Sequence, residues 1–328
     1  MITTLVLGCY AALVGFGAPR LLTRFWPGDR APRRTVALLM VLSYSLPLSA
    51  ITGGFVLGVT LLDALARIDP SIDACADRLP INDESPMAPL LGSAGMIVAG
   101  LLAARICFCL VATVAAARLR RRAHAAVLRL CGRPDGALNV TVLEHDQAAS
   151  YCLPGRGGRI VVTSKAIQLL TADQLSAVLA HERAHLRGRH HLLITFAAAL
   201  RRAVPRVRLI AYTDREVRRL VELLADDAAA RDHGALTVAT ALAVLGAGHV
   251  PGGALGVVEG PSALARIARL AGPSAGLSRR RAALSGAVLA AAVTVPVLLA
   301  GGSVAVLMRH CPPSTDDEHP RSSISRLR

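Results

Sequence analysis

The chain has 328 residues, 53% of them hydrophobic and only 18% charged, with a mean hydropathy of +0.49. This is too apolar for an ordinary soluble domain of that length and implies a membrane protein carrying one polar module. The net charge of +15 comes almost wholly from arginine, Lys165 being the one lysine. With aromatics at 3% there is no stacking platform, so direct nucleic-acid binding is not expected. Abundant Arg, Ala and Gly beside scarce Lys point to a high-GC bacterial genome.

Residues 2–18 form an apolar run with no basic residue ahead of it, which reads as a membrane anchor rather than a secretory signal. Arg20, Arg24, Arg30, Arg33, Arg34 and Trp26 follow, and the positive-inside rule places that loop in the cytoplasm and the N-terminus outside. A second apolar stretch, 36–65, exceeds the roughly 20 residues a bilayer requires, and Pro47 and Gly53-Gly54 are points where it can kink. The acidic 66–89 loop is expected outside. A third span, 90–117, returns to Arg118, Arg120, Arg121 and Arg122. Arg105 lies near its middle, where it is expected to snorkel or to pair with a carbonyl, a hydroxyl or an aspartate such as Asp63. A fourth span, 282–308, follows Arg279–Arg281, and the polar tail 309–328 is expected to be disordered and external. This topology puts Cys75 and Cys311 on the oxidising side, as a disulfide or as two free thiols.

Between spans three and four, residues 118–281 have the composition of a soluble module. The β-branched runs 139–143 and 159–163 read as strands around a Pro-Gly-Arg-Gly-Gly turn, and Arg159–Thr163 is either a substrate-pairing edge strand or a core strand. Thr171 and Gln174 form a capping-box pair, flanked by Leu170 and Leu175 as a hydrophobic staple. Leu175, Val178, Leu179 and Leu186 then recur at helical spacing up to Gly188. This predicted helix carries His181-Glu182-Arg183-Ala184-His185. One turn apart, the two imidazoles share a face and can take two corners of a zinc tetrahedron, with Glu182 beside them as general base. Leu192–Leu200 reads as a short apolar helix, and Arg201, Arg202, Arg206 and Arg208 as a basic face toward lipid headgroups or water. A second capping-box pattern, Thr213 and Glu216, opens a helix over 213–231. There Glu222 is the expected third ligand and Asp226, one turn on, the acceptor for a ligating histidine's second N–H. His233 and Arg266 are the candidates for oxyanion or substrate contacts, each with structural packing as its plainer role; His190, His191 and His249 read as surface or packing residues.

His-Glu-Arg-Ala-His followed by Glu-Leu-Leu-Ala-Asp, with Tyr151-Cys-Leu-Pro-Gly and Arg159-Ile-Val-Val-Thr-Ser before them, resembles the membrane-embedded gluzincin peptidases. The similarity is to the BlaR/MecR-type antirepressor peptidases and, more distantly, to the HtpX and CAAX-prenyl protease groups, over about residues 118–270. With the apolar runs, the resemblance gives the expectation of a mainly α-helical integral membrane protein of four transmembrane helices, with an α+β zincin-like peptidase module that the positive-inside rule places in the cytoplasm. It also implies one Zn²⁺ per chain and regulated, site-specific cleavage of a protein substrate, such as a transcriptional repressor or the chain itself, at the plasma membrane. About twenty residues follow the fourth span, too few for a β-lactam-sensing domain. Two other readings stand beside this one: an HtpX-like quality-control protease, and a non-catalytic receptor or scaffold with structural zinc. Glu182 speaks against the second, because a closed structural site has no use for that carboxylate.

Overall fold

The computed structural model describes residues 2–26, 28–66, 88–155, 157–247, 263–272 and scattered positions between 280 and 298. Most of these are helical, and three helices are long and apolar enough to cross a membrane: Leu5–Arg24, Pro32–Gly58 and Leu90–Cys131. In chain order the elements are α1 (Ile2–Ala12), which passes through a π-helical turn into α2 (Ala18–Phe25), then α3 (Pro32–Ala66) and α4 (Ala88–Cys131). The strands β1 (Gly132–Asp135), β2 (Val140–Leu143), β3 (Ser150–Leu153) and β4 (Arg159–Thr163) follow. The remaining helices are α5 (Ser164–Leu169), α6 (Ala172–Arg187), α7 (His190–Ala203), α8 (Arg208–His233), α9 (Ala235–Ala247) and α10 (Ala263–Ala271). The 66–89 loop lies almost wholly outside the described residues, as do the greater part of the 282–308 stretch, the tail, Cys75, Cys311 and His249.

Helix boundaries depart from the apolar runs in instructive ways. α3 continues without a break through Pro47 and Gly53-Gly54. Gly54 serves close approach rather than bending: a Cβ there would stand 2.5 Å from the Gly95 carbonyl of α4. α4 does not stop at Arg118 but runs on to Cys131. The arginines end the hydrophobic stretch, yet Arg and Ala are good helix formers, so the helix continues past them.

Two cores result. In one, Val36, Leu38, Leu39, Leu42 and Leu46 of α3 pack against Leu200 of α7 and Leu209, Ile210, Leu220 and Leu223 of α8. In the other, Val140, Val142, Ile160 and Val162 of the sheet pack against Leu170, Leu175, Val178 and Leu179 around α6. The α7–α8 hairpin thus lies along the membrane-length helices. Arg105 Nε donates to the Ala203 carbonyl at 2.7 Å, closing the C-terminus of α7, and Ser43 and Thr213 hydroxyls meet at 2.7 Å. Arg105 therefore takes the carbonyl partner among its expected alternatives. α8 begins at Arg208, so Thr213 is not a cap; it is a buried mid-helix residue, and Glu216 pairs with Arg219 instead. Burial of Leu209 and Ile210 extends the helix backward past the local capping signal.

The sheet order is β1-β2-β4-β3, with β2 and β4 parallel and the outer pairs antiparallel. β4 is therefore an inner strand, buried from Ile160 to Thr163, and the strand at the sheet edge nearest α6 is β3. β1, carrying Pro134, is an edge strand that its short polar sequence did not announce. Nor did the uniformly apolar α9 show a helical period.

Candidate metal centre

α6 is placed by a complete capping box: Gln174 N–H donates to Thr171 Oγ1, and Thr171 N–H to Gln174 Oε1. Leu175, Val178 and Leu179 bury one face of the helix, which turns His181, Glu182 and His185 toward α8. Glu222 arrives on the facing helix. His181 Nε2 and His185 Nε2 lie 3.1 Å apart, and each is 3.5 Å from an oxygen of Glu222. These three residues are the one group of potential metal donors found among the described residues.

The fit to a metal can be tested on these distances. With bonds of about 2.0–2.1 Å, the corners of a zinc tetrahedron stand about 3.3 Å apart. The Nε2–Nε2 separation is close to that value, Glu222 offers a different oxygen at 3.5 Å to each imidazole, and with one donor atom per residue the three lie within 4.8 Å of one another, leaving a fourth position open. Charge agrees: Glu182, Glu222 and Asp226 place three carboxylates around the site against the single guanidinium of Arg266, an imbalance that a divalent cation neutralises. The residues present fit a Zn²⁺ ion.

The outer partners fix the imidazoles. His181 Nδ1 stands 3.1 Å from Asp226 Oδ1, somewhat off the line of an ideal hydrogen bond. Asp226 is fully buried and is held in turn by Arg266, whose Nε donates to Oδ2 at 2.8 Å and whose second nitrogen reaches Oδ1. Arg266 also lies 3.2 Å from Glu222 Oε2. Arg266 takes the structural role of its two expected ones: its fork is spent on Asp226 and Glu222, orienting carboxylates 40 and 44 residues earlier in the chain. His233 closes the last turn of α8, eleven residues and roughly 16 Å of helix beyond Glu222, and no hydrogen bond or ion pair joins it to the site.

One residue that read as packing belongs to the site. His190 is buried, and its Nδ1 is 2.9 Å from His185 Nδ1. For His185 to present Nε2 to a metal, its proton must sit on Nδ1, and His190 is the acceptor that holds it there. The approach requires the turn after α6. Arg189 adopts φ 48°, and a Cβ on Gly188 would stand 2.3 Å from His190 Nε2, so only glycine fits. His-His at 185 and 190 has no helical spacing across a turn, which is why the sequence did not disclose the pair.

Proton affinities follow from this packing. Burial alone would lower His181, but Asp226 and Glu222 overcome it and raise its pKa to about 9. Burial raises Glu222 while the two histidines pull it well below the carboxylate range, the stronger influence. Glu182 is raised, chiefly by burial. His190 is lowered to about 4 by burial and by His185, which keeps it neutral and able to accept. Cys152 on β3 is pushed up to about 12 by burial and by the nearby Glu182, so it stays a thiol beside the general-base candidate.

No curated protein and no solved structure matches the chain. Residues 114–205, from the middle of α4 to the α7–α8 turn, match the model of Peptidase family M48. The match takes in the sheet and the His-Glu-x-x-His helix and ends before Glu222. Over that segment the chain is similar to a zincin-type metallopeptidase, attached to helices of membrane length.

Proposed function

We propose that this chain is a multi-pass, membrane-bound zinc endopeptidase that performs regulatory, site-specific cleavage at the cytoplasmic face, on a protein such as a repressor or on itself. The observation that carries the reading is the convergence of His181, His185 and Glu222 donor atoms to within 4.8 Å of one another, with Glu182 buried beside His181 on the same helix.

In this reading His181, His185 and Glu222 hold the ion, which when bound supplies the Lewis acidity that makes water a nucleophile near neutral pH. Asp226 and His190 hold the Nδ1 protons of the two imidazoles and keep both Nε2 lone pairs aimed at one point. Glu182 takes the proton of the attacking water on its carboxylate and delivers it to the leaving amine. Its raised proton affinity suits both transfers. β3, at the sheet edge beside α6, is the strand an extended substrate would pair with, in place of Arg159–Thr163.

Glu182→Gln tests the reading. The variant is expected to bind zinc as the parent does and to lose peptide hydrolysis by a factor of about 10²–10⁴. Equal processing by variant and parent would instead favour an inert receptor whose zinc is structural. Comparing the peptides released in cells by the two proteins separates regulatory from housekeeping cleavage: one partner cut at one bond supports the former, general degradation of unfolded membrane proteins an HtpX-like role.

A further inference from the structure

A concavity borders the helix that carries His181 and His185. A cavity of about 820 Å³ opens between the first turn of α3, the end of α6, the start of α7 and the C-terminal half of α8. His181, Glu182, His185 and Glu222 do not line it, but His190 and Gly188 form part of its wall. Four arginines stand around it: Arg33 and Arg34 from α3, Arg187 from α6 and Arg231 from α8. Unlike Arg218, Arg219, Arg266 and Arg269, which hold carboxylates, none of these four makes an ion pair or a side-chain hydrogen bond among the described residues. Of the two aspartates in the wall, Asp227 is already neutralised by both nitrogens of Arg269, which leaves Asp232. The cavity is therefore cationic, four arginines facing the one remaining carboxylate of Asp232.

Its position narrows what can fill it. Arg24 closes one membrane-length helix and Pro32 opens the next, so the cavity lies at the level where two candidate spans leave the bilayer. At that level the anions available in high local concentration are phosphates, and the volume suits one headgroup. Exposed arginines from three elements line this one space, and guanidinium groups suit the acceptor oxygens of a phosphate. We propose that this cavity is a binding site for a phosphate-bearing anion, either the headgroup of an acidic phospholipid or a soluble phosphate.

Trp26 provides the reporter. It is the chain's one tryptophan, and its indole N–H donates to Thr35, the residue after Arg34. The zinc-loaded full chain in neutral detergent would be titrated with short-chain phosphatidylglycerol, with short-chain phosphatidylcholine and with inorganic phosphate at matched ionic strength, following Trp26 emission and the thermal midpoint. Saturable responses to phosphatidylglycerol but not phosphatidylcholine are expected. A matching response to inorganic phosphate alone would identify the soluble anion as the source. Each arginine near an anionic ligand is worth about fivefold in affinity, so replacing Arg33, Arg34, Arg187 and Arg231 by Gln should weaken binding by roughly a hundredfold or more. Replacing Arg118, Arg120, Arg121 and Arg122 by Gln removes the same charge outside the cavity and should leave the titration nearly unchanged. The proposal is overturned if the cavity variant titrates like the parent, if the two variants lose affinity equally, or if phosphatidylcholine works as well as phosphatidylglycerol. Should the fourfold variant fail to fold, Arg33→Gln with Arg34→Gln is expected to bind about 25-fold more weakly, and an unchanged titration overturns the proposal equally.

Discussion

The two helices that meet at the metal centre are held in opposite ways. α6 is specified by its own residues: a reciprocal capping box at Thr171 and Gln174, a staple of Leu170 and Leu175, and a buried face at helical spacing. α8 has no side-chain cap at its start; Leu209, Ile210 and Thr213 are buried against α3, and α7 before it ends on the Arg105 guanidinium of α4. A helix start satisfied within four residues can be read from the chain, whereas an end carbonyl met by a side chain 98 residues away, or a mid-helix hydroxyl paired 170 residues away, cannot.

That contrast can be broken first at the metal. Glu222→Gln removes the donor that α8 contributes and should lower zinc affinity more than any change in the surrounding partners, a loss read by competition with a chelating dye. Asp226→Asn, or His190→Ala, should cost about 10–100-fold each in the same assay. His190→Asn, which restores an acceptor opposite His185 Nδ1, should recover part of that loss; no recovery would mean that His190 merely fills space.

Acidity separates the two states of the site. In the metal-free protein His181 has a folded pKa of about 9, above the ordinary 6.5, so the proton it holds stabilises the fold fully below pH 6.5 and progressively less as pH rises toward 9. His190 acts in the other sense: its folded value of about 4 contributes stability that is present above pH 6.5 and lost as pH falls toward 4. Thermal midpoints measured with chelator should therefore fall on both sides of neutrality. Zinc should flatten the alkaline limb, because a ligating His181 has already given up its proton, and below pH 9 binding should weaken by up to tenfold per unit as proton and metal compete.

The smallest effects sharpen the comparison between local and distant caps. Arg105→Leu strips charged donors from two α7 carbonyls and should cost about 1.5–3 kcal/mol of stability. Thr171→Ala loses one local cap and should cost about 1 kcal/mol. Chemical denaturation of the two variants in one detergent would rank them, and the reverse order would show that α7 is held by its apolar face rather than by its end.

Much of the site was legible because its chemistry repeats at the period of a helix. His181 and His185, and likewise Glu222 and Asp226, are each one turn apart, a relation that backbone geometry guarantees once the segment is helical. The apolar runs announced membrane-length helices for the same reason, since a bilayer's thickness sets a length that hydropathy reveals. What the chain alone did not disclose was where separate segments come to rest: that α8 begins at Arg208, that β4 is inside the sheet and β3 at its edge, that Arg266 clamps Asp226 and Glu222, and that His190 turns back under His185. Those placements depend on burial and ion pairing between residues distant in sequence or joined by an irregular turn. Such interactions leave no periodic trace, so only the tertiary structure decides them.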